Sequence, residues 1–296
     1  QDSQLITIDG KVMAVAFMAN TQHLYYREDV LKELGIPVPK TYEEVVAASE
    51  KIRASGKMQH PYAAAYKAGW NLAEEFVNMF IGHGGEFFKA GTAEPNINNA
   101  KGVATLNMLK KLASLSNPDY LTHDSEAIKV EWESGKVALM TLWASRSGTL
   151  LDDEGDAKIT AATKLTGPAT VGGGNIPAAT LWWDGFTLAK NRSDSDAEAT
   201  FIALAHAASN KKMVADAADQ AVWLVEGFVP GPKSIGVIEA VKMGAKPYPM
   251  LPQMGLMHGA LGSEIVEFLQ GKESAEQALK DVEAAYISKA KEQGFL

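Results

Sequence analysis

Hydrophobic and polar positions change period repeatedly along this chain, from short apolar runs to stripes recurring every three or four residues. Val12–Phe17 and Leu24–Tyr26 are apolar runs that predict short buried strands, and Asp29–Leu34 predicts a helical turn ended by Gly35, Pro37 and Pro39. Thr41 and Glu44 have capping-box spacing, in which hydroxyl and carboxylate satisfy each other's free backbone N–H groups. Tyr42, Val45, Val46, Ser49 and Ile52 then fall on one helical face until Gly56.

The same patterns predict helices over 72–81, 100–115 and 127–133, each closed by a glycine, Asn-Pro or Ser-Gly signal. Strands are predicted at 137–142, 159–163 and 181–188. Ser195 with Glu198 and Ser274 with Gln277 suggest two more capped helices, the second running over 278–290. Alternating strands and helices imply α/β lobes with largely parallel sheets. With 296 residues and 46% apolar content, two lobes are the natural division and one large domain the alternative.

Composition removes several classes of function. The net charge of −8 and the absence of a basic stripe argue against nucleic acid as a partner. The longest apolar run, 12–19, is far short of the roughly 18 residues a membrane-spanning helix needs. Cysteine is absent, which excludes disulfides, thiolate metal sites and cysteine nucleophiles. The opening residues Gln1-Asp2-Ser3-Gln4 show none of the features of a signal peptide, so a leader was removed or the product starts earlier.

Nor is there a constellation for catalysis. The six histidines never lie three to five residues apart, and no G-x-S-x-G elbow occurs. The glycines at 82–85 and 172–174 fit neither nucleotide-binding pattern and read as turns. Asp152, Asp153, Glu154 and Asp156 lack the alternating spacing of a calcium loop and read as a solvated segment. No catalytic residue, metal ligand or cofactor site is expected.

An ordered series of motifs resembles the family 1 extracellular solute-binding proteins that serve ABC sugar importers. It comprises Gly10-Lys11-Val12-Met13-Ala14-Val15, Asn20, Leu24-Tyr25-Tyr26-Arg27-Glu28-Asp29, Gly35-Ile36-Pro37 and Pro39-Lys40-Thr41-Tyr42-Glu43-Glu44. It continues through 132–140, 184–190, 249–254, Gly271-Lys272 and Ala278-Leu279. The resemblance implies an α/β, two-lobe, periplasmic-binding-protein-like (type II) architecture. By it, 20–182 and 233–296 form the second lobe, and 1–19 with 183–232 the remainder of the first. Two departures stand out: Ala16 where the family usually has a hinge proline, and a missing β/α unit before Leu5 that leaves the first lobe incomplete.

By the same resemblance the protein captures a sugar or polyol between its lobes, closes about a hinge and delivers to a membrane permease, with no catalysis. The expected place is the periplasm, or the outer surface of a Gram-positive cell with a lipid tether. Sugars present C–H faces and a rim of hydroxyls, so a site needs aromatic plates and planar polar groups. The candidates are Asn20, Trp70, Trp143, Arg146, Trp183, Asp184, Tyr248 and His258. Of the adjacent pair Trp182-Trp183 only one can face a cleft from a strand, and Trp183 is the expected one. Asp184 is expected to accept sugar hydroxyls or to serve as a cap or a hinge salt bridge, and His258 to be a ligand contact or a satisfied, partly buried ring. A carbohydrate-active enzyme and an interaction fragment without ligand remain the alternatives; paired carboxylates across a cleft would favour the first and uncovered apolar surface the second.

Overall fold

The computed structural model describes residues 5–152 and 154–296, so Gln1–Gln4 and Asp153 of the acidic segment lie outside it. The chain opens with strands β1 (Leu5–Ile8), β2 (Lys11–Asn20) and β3 (Gln22–Arg27), then helices α1 (Glu28–Glu33) and α2 (Tyr42–Ala54). Strand β4 (Tyr62–Ala63), helices α3 (Trp70–Gly82), α4 (Ala100–Ala113) and α5 (Ser125–Glu133), and strand β5 (Leu139–Trp143) follow. Next come α6 (Ser147–Leu150), α7 (Ala157–Ala162), β6 (Thr163–Thr166) and β7 (Thr180–Phe186). The last third holds α8 (Asp194–Ser209), α9 (Lys211–Asp216), β8 (Val222–Trp223), α10 (Ile235–Lys242), β9 (Lys246–Pro247), α11 (Met254–Leu269) and α12 (Ala275–Glu292).

The strands form two sheets, one ordered β1-β2-β7-β9 with β8 beside the far end of β2, the other ordered β4-β5-β3-β6. Contrary to the expectation of largely parallel sheets, five pairings among the described residues are antiparallel and only those of the two-residue strands β4 and β9 are parallel. The chain leaves the first sheet along β2 at Asn20 and re-enters it along β7 from Thr180, so the two strands run in opposite directions. Asp9 and Gly10, both in the left-handed region at φ 50° and 73°, make the two-residue turn that pairs β1 with β2. Ala16 pairs with Gly185, and the register shifts between it and Met18.

The main core lies on one face of the second sheet, where α2, α3, α4, α11 and α12 bury Leu24, Ile52, Phe76, Phe80, Leu106, Leu261, Leu279 and Tyr286. A smaller core on the other face holds Tyr25, Trp132, Met140 and Leu142. Strand alternation decides which residue goes where: Leu24 and Leu139 point to the large core, Tyr25 and Met140 to the small one.

Caps account for several helix starts. Thr41 Oγ1 accepts from Glu44 N (3.1 Å) while Glu44 Oε2 accepts from Thr41 N (3.2 Å), completing the expected box. Ser274 caps α12 by accepting from Gln277 N (3.2 Å), but the Gln277 amide turns to Asp281 instead of closing a box. The cap of α8 is Ser193, which accepts from Asp196 N, so the helix starts ahead of the expected Ser195. The strand expected at 159–163 is mostly α7: Asp156 accepts from Lys158 N and Ile159 N and starts a helix there, leaving β6 to begin at Thr163. Among the described residues, no helix is long and apolar enough to cross a membrane.

Candidate functional site

Where the chain passes between the two sheets, five rings converge from five places in the sequence. Trp70 opens α3, Trp143 ends β5, Trp182 lies in β7, Tyr248 follows β9 and His258 sits in the second turn of α11. Ring centroids of Trp70 lie 6.2 Å from Trp143, 5.9 Å from Trp182 and 4.9 Å from His258. Trp182 is 6.0 Å from Trp143, edge to face, and 4.4 Å from Tyr248. The Trp70 side of this wall is open, the residue being 51% exposed.

Backbone chemistry sets where Trp70 stands. Gly69 precedes it at φ 99°, a conformation open to glycine, and its N–H donates to Gly262 O of α11 (3.0 Å). The approach is so close that a Cβ on Gly262 would lie 2.6 Å from the Gly69 carbonyl carbon. His258 adds a second tie. Its Nε2 lies 3.0 Å from Trp70 O, an acceptor, so that nitrogen carries the proton and Nδ1 accepts from Tyr248 OH (2.9 Å). Burial lowers the His258 pKa, keeping the ring neutral, and both its nitrogens are engaged. Its role in the geometry is to hold Trp70 and Tyr248.

The other expected residues divide. Asn20 is clasped by the protein: its Oδ1 accepts from Thr21 N (3.0 Å) and Ser145 N (3.2 Å), and Nδ2 donates to Ser145 Oγ (3.3 Å). It fixes the turn that follows Trp143. Arg146 in that turn pairs with Glu126 on α5 (2.5 Å) and makes no ring contact with the wall. Trp183 points to the other face of β7, over Gly185, and lines a groove along the strand edge together with Trp182, Tyr248, Leu181, Pro247 and Met250. The ring that joins the cluster is Trp182. Asp184, two residues on, shares the Trp182 face by alternation, so Trp183 and Asp184 cannot both point one way. Its carboxylate has no hydrogen bond or ion pair to a described residue, and partial desolvation raises its pKa.

Behind the wall lies a polar chain that the candidate set lacks. Helix α3 is apolar almost all round yet buries the adjacent acids Glu74 and Glu75. Trp182 Nε1 donates to Thr180 Oγ1 (2.8 Å) and Glu74 Oε1 (3.2 Å), and Thr180 Oγ1 lies 2.8 Å from both Glu74 Oε1 and Asn78 Oδ1. Asn78 Nδ2 donates to Gln22 Oε1 (3.1 Å), and Gln22 Nε2 to Glu75 Oε1 (2.9 Å). Thr21 Oγ1 donates to Thr180 O (2.8 Å), tying one crossing of the chain to the other. Burial pushes both acids up to about 8, against the lowering effect of their donors. The sequence signal was present: two adjacent acids inside Leu72-Ala73-Glu74-Glu75-Phe76-Val77, a stretch whose surroundings demand burial.

No group of three or more metal-ligating side chains occurs among the described residues. Among the described residues the indole N–H groups of Trp70 and Trp143 make no hydrogen bond, and the unpaired Asp184 carboxylate lies two residues along β7 from Trp182. The arrangement offers flat apolar plates edged by a few donors and one acceptor, a surface for holding a neutral molecule with both C–H and O–H groups.

Comparison with known proteins places this geometry in context. The profile of the family described as bacterial extracellular solute-binding protein matches residues 3–214. The probable ABC transporter-binding protein of Deinococcus radiodurans is 29% identical over 193 residues, covering 62% of this chain and 44% of that protein. The multiple sugar-binding protein of Streptococcus mutans is 40% identical over 65 residues, covering 22% of this chain and 15% of that one. This chain therefore spans less than half the length of these relatives. Among solved structures, maltose-bound MalE3 of T. maritima superposes with a TM-score of 0.80 at 19% identity, over 97% of this chain and 76% of that one. A ribitol complex of an ABC transporter solute-binding protein from Agrobacterium radiobacter gives 0.79 at 20% identity, over 95% and 72%. At such identities the likeness is one of fold, and that fold is the two-lobe α/β architecture expected from the sequence.

Proposed function

Because the chain belongs to the bacterial extracellular solute-binding proteins, we propose that it captures a sugar or polyol for an ABC importer, outside the cytoplasmic membrane and without breaking a bond. The observation that carries this reading is the half-open wall of Trp70, Trp143, Trp182 and Tyr248 at the crossing between the sheets. Rings stack on sugar C–H faces, while the two free indole N–H groups and Asp184 answer hydroxyls. The strands that pass between the sheets at 20–22 and 180 would act as the hinge, and a membrane permease would receive the closed form. Residues 20–182 with 233–296, and the remaining segments, would move as the two lobes.

A thermal-shift screen and calorimetry with maltose, ribitol and D-mannitol test this. A Kd near about 1 μM corresponds to roughly −8 kcal/mol, and ligand at about 100 Kd stabilises the fold by about 2.7 kcal/mol. Trp182→Ala should abolish the shift while Trp183→Ala leaves most of it. Absence of stabilisation by every sugar and polyol tried would count against the reading.

One observation favours a second reading, association through uncovered surface. Ile8, Val12 and Met13 of the β1-β2 hairpin and Phe201 and Ile202 of α8 are exposed apolar side chains. Sedimentation equilibrium over a range of concentrations distinguishes the two readings, a monomer disfavouring the second.

A further inference from the structure

We propose that Glu74 is a positioning residue of the ring wall, fixing the plane of Trp182 and joining that ring, through Thr180, to both strands that cross between the sheets. The inference rests on the reading of Trp182 as a ligand plate. Around the indole stand three other rings, inclined to it at 58°, 81° and 36°. Torsions at an aromatic ring have broad minima, so such contacts leave the plane loosely set. The indole N–H is a donor only, and it is shared between Glu74 Oε1 and Thr180 Oγ1. That shared bond gives the ring a direction.

The same two acceptors connect outward. Thr180 begins the returning strand β7 and accepts at its carbonyl from Thr21, which lies between β2 and β3. Asn78 and Gln22 carry the chain on to Glu75. A change at Glu74 therefore reaches the plate and the crossing strands together. A purely structural acid in the helix would need no bond to a ring of the site.

Charge state provides the handle. Glu74 Oε1 accepts from Trp182 and Thr180, but Oε2 is buried with no partner, so an ionised Glu74 would leave one charged oxygen with neither donor nor solvent. Burial pushes it up to about 8, leaving a protonated acid at neutral pH. The titratable groups around it are Glu75 on its own helix, Tyr248 beside Trp182, His258 beside Tyr248 and Trp70, and Asp184 further along β7; Tyr42, Tyr62 and Tyr66 surround Glu75. Burial raises those four tyrosines and lowers His258, so none of them changes charge near pH 8. Desolvation raises Asp184, which lies exposed on β7 and makes no bond to the chain that joins Glu74, Thr180, Asn78, Gln22 and Glu75.

The test is a ¹⁵N-resolved proton NMR titration of the tryptophan indole signals in the full chain, the Trp182 signal being assigned with Trp182→Phe. In the unaltered protein this signal should exchange slowly with solvent and move through a transition near pH 8. In Glu74→Gln, which retains an acceptor, the signal should stay protected and lose most of that movement. In Glu74→Leu it should lose protection. Equal shifts and exchange rates in all three proteins would overturn the proposal, and if Glu74→Leu does not fold, the titrations of the unaltered protein and Glu74→Gln decide it. Calorimetry with maltose, ribitol and D-mannitol runs in parallel. Affinity for whichever binds should fall about threefold to tenfold in Glu74→Leu, the ordinary worth of one aromatic contact, and recover in Glu74→Gln. If none binds, the sugar reading fails, while the indole signal still judges the positioning role.

Discussion

Helix α11 contains its own controlled experiment in three glycines. An added Cβ at Gly255 or Gly259 meets nothing within 4 Å, whereas at Gly262 it would lie 2.6 Å from the Gly69 carbonyl carbon and 2.8 Å from its Cα. Carbon atoms in good contact sit about 3.5–4.0 Å apart, so Gly262→Ala must open a gap of about 1 Å. What it meets is backbone, which cannot rotate away as a side chain would. The displacement also lengthens the Gly69 N to Gly262 O bond and moves the residue before Trp70. Overpacking of this kind costs about 1–3 kcal/mol.

Alanine in a helix is favoured over glycine by about 1 kcal/mol, and this gain is common to Gly259→Ala and Gly262→Ala. It cancels in their difference, which leaves the overpacking cost alone. Gly259→Ala should therefore raise the melting temperature and Gly262→Ala lie below it by about 2–4 °C for each kcal/mol, as followed by far-UV circular dichroism at one pH. Gly262→Ala should in addition weaken binding to the wall, because Trp70 O is the acceptor for His258. Coincident melting curves for the two variants would refute the close-approach reasoning.

Acidity should act in two opposed ways. Glu74 and Glu75 keep their protons to about pH 8 in the fold but release them near 4.5 when unfolded, so over that interval the folded chain binds more protons and stability falls as pH rises. Buried His23 is lowered from 6.5 to about 4, so between those values the unfolded chain binds the extra proton and stability falls as pH drops. Glu75→Gln should flatten the alkaline slope of the melting temperature and leave the acid slope in place; an unchanged alkaline slope would contradict the assignment. Tyr248→Phe leaves the buried His258 Nδ1 without its donor and should cost about 1–3 kcal/mol by denaturant unfolding, a neutral result speaking against the bond. Thr41→Ala removes the hydroxyl that accepts from Glu44 N and should cost about 1 kcal/mol in the same assay, a change within error counting against the cap.

Local chemistry was legible before any coordinates. Thr41 and Glu44 need only each other and four residues of backbone to make their box, and strand alternation alone sends Tyr25 and Tyr26 to opposite faces of their sheet. The ordered motifs pointed to the architecture, and Trp70, Trp143, Tyr248 and His258 to the place where rings meet. The acids of α3 were visible as an anomaly in an apolar helix but gave no hint of their partners, which come from residues 22 and 180.

Tertiary structure decided what depends on distant partners. Helix-strand alternation suggests parallel pairing, yet a chain that exits one sheet at Asn20 and returns at Thr180 must pair those strands antiparallel. The 159–163 segment has a pattern compatible with a strand, and the Asp156 cap tips it into a helix. The choice between Trp182 and Trp183 was beyond local pattern as well, because alternation says that they differ in direction but not which way the strand is turned. Pairing of β7 with β2, and a buried acceptor 108 residues away, fixed that turn. Sequence sets the period of a strand; only its neighbours set the phase.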